Sequence, residues 1–167
     1  MNINDLYIGM RNGTLSTTDD FLAYACCERN TNLIRALLNY GVNPNIRSSV
    51  GKTPLMYLCE GEESPDLVDL LLRHGACPFT SNDEGQTALF NAAKSGFTET
   101  VRKLLSAGAE PNVADFGDRT PLHEAAERGF VAISKLLIDA GADTTCYDTF
   151  GNTPIENATN TVRELFS

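Results

Sequence analysis

The chain has 167 residues, of which 42% are hydrophobic and 21% charged, a balance typical of a soluble globular protein of single-domain size. No apolar run approaches the roughly 18 residues that a membrane-spanning helix needs, and residues 1–11 lack the basic and apolar regions of a secretory signal. The net charge of −9 repels phosphate backbones, which argues against nucleic-acid binding. We therefore expect an intracellular, cytoplasmic protein that binds neither membranes nor nucleic acids.

Residues 2–8 predict a short helix, and beyond residue 18 the chain begins to repeat itself. A three-residue pattern recurs: a threonine, then a proline or alanine, then an aliphatic residue. Its threonines are Thr53, Thr87, Thr120 and Thr153, which are 34, 33 and 33 residues apart. A fixed period in this range predicts stacked structural repeats rather than one globular core. Because a terminal repeat must have its apolar face covered, we interpret residues 1–18 as an N-terminal capping segment.

The unit that begins at Gly85 illustrates the secondary structure that the sequence of one repeat predicts. Thr87 can cap a helix whose apolar side begins at Leu89, since a threonine hydroxyl accepts a hydrogen bond from an unpaired N–H of the first turn. Gly96 suits the position at the end of that helix, where the backbone must be left-handed. Gly108 ends a second, antiparallel helix in the same way. Each unit is thus predicted to be a helix pair followed by a turn.

Two units depart from this pattern. The second unit is one residue longer, and because Pro65 suits the first turn of a helix, we place the extra residue between its two helices. In the fourth unit Asp118 stands where the others have a turn glycine. Aspartate tolerates a left-handed backbone, so we expect the turn to survive. The acidic residues around the longer turn are interpreted as a solvated face; they are Glu60, Glu62, Glu63, Asp66 and Asp69.

These units resemble the ankyrin repeat. The fit is best over residues 115–145, which include the sequence TPLH at residues 120–123. The resemblance implies an all-α solenoid of antiparallel helix pairs with protruding β-turns, with four ankyrin-like repeats in residues 19–147 and a truncated C-terminal capping repeat in residues 148–167. It also implies that His123 makes hydrogen bonds between repeats, although only at this place, because the other units lack the histidine.

The end of the chain is predicted to form a cap. Val162, Leu165 and Phe166 are spaced to fold back as a short last helix over the repeat before them. With a capping segment expected at each end, we interpret the sequence as a complete small protein rather than a fragment of a longer array.

No motif predicts catalysis. The phosphate-binding, dinucleotide-binding and nucleophile-elbow glycine patterns are missing, and His123-Glu124 lacks the second histidine of a zinc-protease motif. The five cysteines form no C-x-x-C pair, and we interpret Cys26 and Cys59 as small buried hydrophobes in a reduced protein. We therefore expect a protein that is not an enzyme and needs no cofactor, metal ion or disulfide.

The resemblance implies that partners meet the turn tips and the exposed face of the first helix of each unit. These positions vary in chemistry while the leucines and alanines beneath them repeat. The candidate partner-binding residues are Lys52, Glu84, Gln86, Phe116, Arg119 and Phe150 at the tips, and Tyr57, Asn91, Lys94, Glu124 and Arg128 on the helices. Phe116, Phe150 and Tyr57 stand out because aromatic residues are favoured interface anchors, although the phenylalanines could instead pack against their own turns.

The sequence thus predicts a non-enzymatic protein–protein interaction module that is monomeric alone and binds another protein through its concave groove. An alternative remains open, because the chain is small and acidic: a dedicated inhibitor or immunity protein that blocks a basic enzyme such as a nuclease toxin. Both functions are compatible with the same fold.

Overall fold

The protein is a stack of antiparallel helix pairs. In a computed structural model, which describes residues 18–166, the pairs are α1 (Thr18–Cys27) with α2 (Thr31–Asn39), α3 (Pro54–Leu58) with α4 (Pro65–Arg73), α5 (Ala88–Ser95) with α6 (Thr98–Ser106), and α7 (Pro121–Glu127) with α8 (Val131–Asp139). A short helix α9 (Asn160–Arg163) and a 3₁₀ turn (Glu164–Phe166) follow. The predicted all-α solenoid is confirmed, whereas the helix predicted at residues 2–8 lies outside the described residues.

Three of the repeated threonines, Thr53, Thr87 and Thr120, directly precede the first helix of their units. The Oγ1 of Thr53 accepts a hydrogen bond from the backbone N–H of Met56 at 3.4 Å, and the Oγ1 of Thr87 accepts one from Phe90 at 3.2 Å. Each bond satisfies a backbone donor that the helix itself leaves unpaired. Pro54 is the first residue of α3, where its missing N–H carries no penalty. The predicted helix starts are therefore confirmed.

Left-handed residues turn the chain where the sequence predicts them. Gly96 has φ 82° at the end of α5, and a Cβ there would lie 2.8 Å from the ring of Phe130, so both its conformation and its surroundings require glycine. Asp118 has φ 56°, and its N–H donates to the carbonyl of Asp115 at 3.0 Å. Aspartate thus replaces the turn glycine of the other units without opening the turn, as predicted.

The extra residue of the second unit lies between α3 and α4. Pro65 is the first residue of α4, which confirms the predicted position of the insertion. Arg29 of the preceding unit fills the longer turn: its Nε donates to the carbonyl of Glu62 at 3.0 Å, and its Nη2 donates to the carbonyl of Glu60. The longer turn is therefore held by the unit before it.

The same turn also caps a helix of the next unit. The Oε1 of Glu63 accepts the backbone N–H of Thr100 at 3.0 Å, at the start of α6. Phe97, which precedes α6, has no side-chain oxygen to supply that bond. The interpretation of the acidic residues as a merely solvated face is therefore wrong for Glu63, because its carboxylate replaces a missing local cap.

The core runs along the stack between the two layers of helices. Helices α1, α3, α5 and α7 form an inner layer, and α4, α6 and α8 pack in sequence in the outer layer. Fully buried leucines recur at matching positions in both layers: Leu22, Leu55, Leu89 and Leu122 in the inner layer, and Leu71, Leu104 and Leu137 in the outer layer. Each repeat thus buries its apolar face against its neighbours, as a solenoid requires.

The last unit has a turn in place of its first helix, at residues 154–156. Val162 of α9 is fully buried against Ala126, and Leu165 packs beside it. These contacts agree with the predicted fold-back of the end, although the side chain of Phe166 lies outside the described residues. The predicted boundaries at residues 19–147 and 148–167 remain predictions.

Asparagines join the ends of some units. The side-chain amides of Asn45 and Asn112 each donate to a backbone carbonyl of the following unit, at 2.9 and 3.0 Å. Phe79 occupies the matching position in the second unit and cannot make this bond. The boundary between the second and third units, which we call the middle seam, therefore lacks the asparagine bridge.

The middle seam has hydrogen bonds beside the turn between α3 and α4. Ser95 Oγ donates to the carbonyl of Cys59 at 2.9 Å, and Asn91 Nδ2 donates to Glu60 Oε1 at 3.3 Å. Further polar contacts cross the same seam between the turns that precede α3 and α5, so the two halves of the stack are joined at both places. None of the helices in residues 18–166 has the length and hydropathy needed to cross a bilayer.

Candidate functional site

The turn tips, residues 48–51, 82–85, 115–118 and 148–151, form a continuous row. Each tip after the first donates one backbone N–H to a carbonyl of the tip before it, through the pairs Asp83 to Val50 at 3.3 Å, Phe116 to Glu84 at 3.0 Å, and Thr149 to Gly117 at 3.0 Å. Within a tip, an acceptor side chain holds the turn. Asp148 Oδ1, for example, accepts the N–H groups of Phe150 and Asn152 at 2.9 and 3.0 Å. The row is therefore an ordered edge.

A cleft of about 440 Å³ lies between this row and the inner helices. We call it the inner cleft; its lining residues are Lys52, Glu60, Glu84, Gln86, Asn91, Lys94, Ser95 and Arg128. Six of the predicted partner-binding residues therefore line one cavity. Ser95, whose hydroxyl is bonded to the carbonyl of Cys59, was not among the predicted residues.

One side of the inner cleft is an ion pair beside an aromatic ring. Lys52 Nζ lies 2.7 Å from Glu60 Oε1 and 5.8 Å from the centre of the Tyr57 ring. The hydrogen bond with Glu60 raises the pKa of Lys52. Glu60 also accepts from the buried Asn91, so its carboxylate is engaged within the protein. Glu60, like Glu63, is therefore more than a solvated surface residue.

A second network of ion pairs is centred on Arg119 and reaches the inner cleft through Arg128. Arg119 Nε lies 3.0 Å from Glu124 Oε1, its Nη1 lies 3.3 Å from Asp148 Oδ2, and its Nη2 pairs with Glu127. Only 17% of the Arg119 side chain is exposed, and the carboxylate of Asp148 is fully buried. Glu124 is also bound by Arg128, at 3.2 Å. The network ties the fourth unit to the last one.

These positions correct part of the expectation from the sequence. Arg119, Glu124 and Asn91 were expected to lie outside the repeat core, but Glu124 and Asn91 are buried and Arg119 is mostly covered. Arg119 and Asn91 each bind a carboxylate of a neighbouring unit, whereas Glu124 is held between two arginines of its own unit. Their contact with a partner protein stays a prediction.

The two tip phenylalanines are exposed. Phe116 and Phe150 have 79% and 80% of their surfaces accessible, so the alternative that they pack against their own turns is wrong. Tyr24 is also half exposed, on α1 at the position that Tyr57 holds on α3. Tyr24 was not predicted, although the repeat register alone would have placed it beside the other inner-helix residues.

Comparison with known proteins agrees with this architecture. Residues 22–115 match the family described as ankyrin repeats (3 copies), and residues 117–149 match a further ankyrin repeat. The chain belongs to the ankyrin-repeat family. The resemblance found in the sequence is therefore confirmed.

Curated relatives of this ankyrin-repeat protein include named inhibitors. Human cyclin-dependent kinase inhibitor 2A is 33% identical over 89 residues, which cover 53% of this chain and 56% of the relative. Mouse cyclin-dependent kinase 4 inhibitor B is 33% identical over 86 residues, covering 51% and 65%. Putative ankyrin repeat protein L92 of Acanthamoeba polyphaga mimivirus is 40% identical over 67 residues, covering 40% and 16%. The chain spans less than two thirds of each of these relatives.

The histidine of the fourth ankyrin repeat bridges two units. His123 Nδ1 accepts the backbone N–H of Thr120 at 3.1 Å, and Nε2 lies 3.1 Å from the carbonyl of Asn152 in the next unit. Nε2 must therefore carry the proton, and the ring is neutral. Burial lowers the pKa of His123, and its bond to Asn152 only partly opposes this effect. The expected bridge between repeats is thus present.

This geometry predicts that the ankyrin-repeat protein loses stability as the pH falls below about 6.5. A histidine with a depressed pKa takes up its proton more readily in the unfolded state, so its contribution is complete above the unfolded pKa and declines below it. The slope cannot exceed about 1.4 kcal/mol per pH unit for one proton. The free energy of unfolding, measured by urea denaturation between pH 7.5 and 5.5, gives this slope.

His123→Gln should flatten that slope. A glutamine oxygen can still accept the Thr120 N–H, as Glu156 does for Thr153 at 2.7 Å in the last unit. His74→Gln, which replaces an exposed histidine, is the matched control and should retain the slope. An unchanged slope in the His123 variant would contradict the assignment.

The cysteines of the ankyrin repeats are free thiols. Burial, with a smaller effect of Cys27, raises the pKa of Cys26 to about 12, and burial also raises the pKa of Cys59. Both are fully buried in the core, as predicted for small hydrophobes. Among residues 18–166, no group of His, Cys, Asp or Glu side chains is arranged to hold a metal ion.

Proposed function

We propose that this chain is a non-enzymatic interaction module that binds another protein through its inner cleft and turn tips. The observation that carries the proposal is the exposure of Phe116 and Phe150 on neighbouring tips whose backbones are fixed by hydrogen bonds. Rigid exposed aromatic rings provide large apolar contacts at a low entropic cost, as interface anchors do. The inner cleft beside them offers polar groups that would set specificity.

The names of the relatives support a second candidate, an inhibitor. Two of them are named as inhibitors of cyclin-dependent kinases. These names support a protein kinase, rather than a nuclease toxin, as the enzyme that such an inhibitor would block. An inhibitor would use the same surface, since the fold offers one row of tips. We further propose that the protein acts as a monomer inside the cell, in the cytoplasm, without binding nucleic acid.

Affinity capture followed by an activity assay separates the two candidates. The purified chain is used as bait, the captured proteins are identified by mass spectrometry, and the leading partner is then purified. If that partner is a kinase and its activity falls in proportion to its occupancy, the chain is an inhibitor. If binding leaves the partner's activity unchanged, the chain is an interaction module.

Phe116→Ala should weaken binding of that partner about 30-fold, because truncating an interface anchor costs about 2 kcal/mol or more. The variant should keep the parent's urea midpoint, since the ring makes little contact with the core. Isothermal titration calorimetry measures the affinity. The matched control is Phe79→Ala, which removes a half-exposed phenylalanine away from the tips and should bind like the parent.

The outer helices provide a further control, Lys135→Ala, on the exposed side of α8. Loss of affinity in Lys135→Ala or Phe79→Ala, with Phe116→Ala unaffected, would place the partner on the opposite side of the stack. That result would contradict the proposed site.

A further inference from the structure

Two units contain the same internal ion pair. In each, the residue before the capping threonine is basic and pairs with a glutamate eight positions further along the chain. The pairs are Lys52 with Glu60 in the second unit and Arg119 with Glu127 in the fourth. At this place on the inner face, the fold therefore brings together a cation from the tip and a carboxylate from the end of the inner helix.

The third unit lacks the carboxylate of this pair. The two matching positions hold Gln86 and Lys94, so an amide replaces the cation and an ammonium replaces the carboxylate. Both residues line the inner cleft, and Lys94 is exposed. Gln86 Oε1 accepts from Asn82, which leaves the amide Nε2 as a donor. The inner cleft thus has two donors at the positions where the neighbouring units have one donor and one acceptor.

No carboxylate of the described chain completes this site. Glu60 is bound by Lys52 and Asn91, and Glu127 is bound by Arg119. Glu84 lines the same cleft at the tip but forms no ion pair with Lys94. Within residues 18–166, neither Lys94 Nζ nor Gln86 Nε2 has a hydrogen-bond acceptor. The other two cations of the inner cleft, Lys52 and Arg128, are already paired.

We propose that the partner supplies the missing carboxylate: an aspartate or glutamate side chain binds between Lys94 and Gln86 in the third unit. This inference rests on the proposed function, because it names the chemistry that the inner cleft recognises. The partner's acidic group would complete the arrangement that the second and fourth units build from their own residues. Although the whole chain carries a net charge of −9, this position selects an acidic contact.

A selection experiment tests this chemistry before any natural partner is identified. A random twelve-residue peptide library displayed on phage is selected on the parent, on Lys94→Glu and on Lys135→Glu. The parent should enrich peptides with aspartate or glutamate at a fixed position. Lys94→Glu should enrich lysine or arginine at that position, and Lys135→Glu, which makes the same charge change on an outer helix, should select the parent's peptides.

A second variant supplies the carboxylate from within the protein. Gln86→Glu places an acceptor beside Lys94 and recreates the internal pair of the other units. It should weaken the binding of a peptide selected on the parent about tenfold, measured by fluorescence polarisation, because the peptide's acidic group must then compete with it. Lys94→Glu should weaken the same peptide at least as much, and a lysine in the peptide should restore binding to that variant.

The outcomes separate this inference from the proposed function. Peptides without a fixed acidic position, or no enrichment on the parent, would overturn the carboxylate site. A selected peptide that loses affinity with Phe116→Ala but is unaffected by Lys94→Glu would also overturn it while leaving the turn tips as the binding surface. A peptide whose binding is insensitive to both changes would overturn both proposals.

Discussion

Leu122→Ala is expected to lower the free energy of unfolding by about 2–5 kcal/mol. Leu122 is fully buried in α7, which packs against both α5 and α8, so its removal leaves a cavity between two repeats. Leu137→Ala, in the outer layer of the same unit, should have a similar effect. Urea denaturation measures both changes.

Two further substitutions serve as controls with smaller expected losses of stability. Leu136→Ala should cost less than its neighbour Leu137→Ala, since Leu136 is only partly buried. Glu62→Ala, at an exposed side chain, should stay within about 0.5 kcal/mol of the parent. Equal losses at all four positions would mean that the repeat register described above is wrong.

Arg119→Met is expected to destabilise the protein by about 3 kcal/mol, because it leaves the buried carboxylate of Asp148 without its cation and removes one of the two cations bound to the nearly buried Glu124. The pKa of Asp148 points the same way. Burial would raise it, but the N–H groups of Asn152 and Phe150, with Arg119 nearby, hold it below its usual range. The folded state therefore favours the ionised carboxylate over the protonated one.

Arg128→Met is the matched control, because Arg128 pairs with the same Glu124 but is almost half exposed. Its loss should cost no more than about 1 kcal/mol. Adding Asp148→Asn to the Arg119→Met variant should recover part of the lost stability, since it removes the unpaired charge. If the two single arginine variants have the same stability, the network around Arg119 does not stabilise the last unit.

The repetitive part of the fold was predictable because its causes are local. A capping threonine, a proline in the first turn and an apolar stripe define the start of a helix without reference to other units. Even Asp118, which breaks the repeat pattern, could be placed correctly, since its left-handed conformation depends on its own backbone. Such features recur with the period and can be read from one unit.

Contacts between units were less predictable. Lys52, Gln86 and Lys94 could be assigned to the inner face from their register, and they do line one cleft. The reach of Arg119 to Asp148, 29 positions further on, depends on how two units pack, and nothing in the spacing of the sequence indicates it. Glu63 was misinterpreted for the same reason, because the N–H that it caps belongs to the next unit.

The inner cleft spans a boundary between two repeats. Lys52 and Glu60 lie on the second-unit side of the middle seam, and Gln86 and Lys94 lie on the third-unit side. A group that binds across the cleft would therefore contact both units at once. Because such contacts exist only while the two units are stacked, binding would stabilise this boundary against local separation. A partner at the inner cleft would thus act as a clamp on the middle of the array.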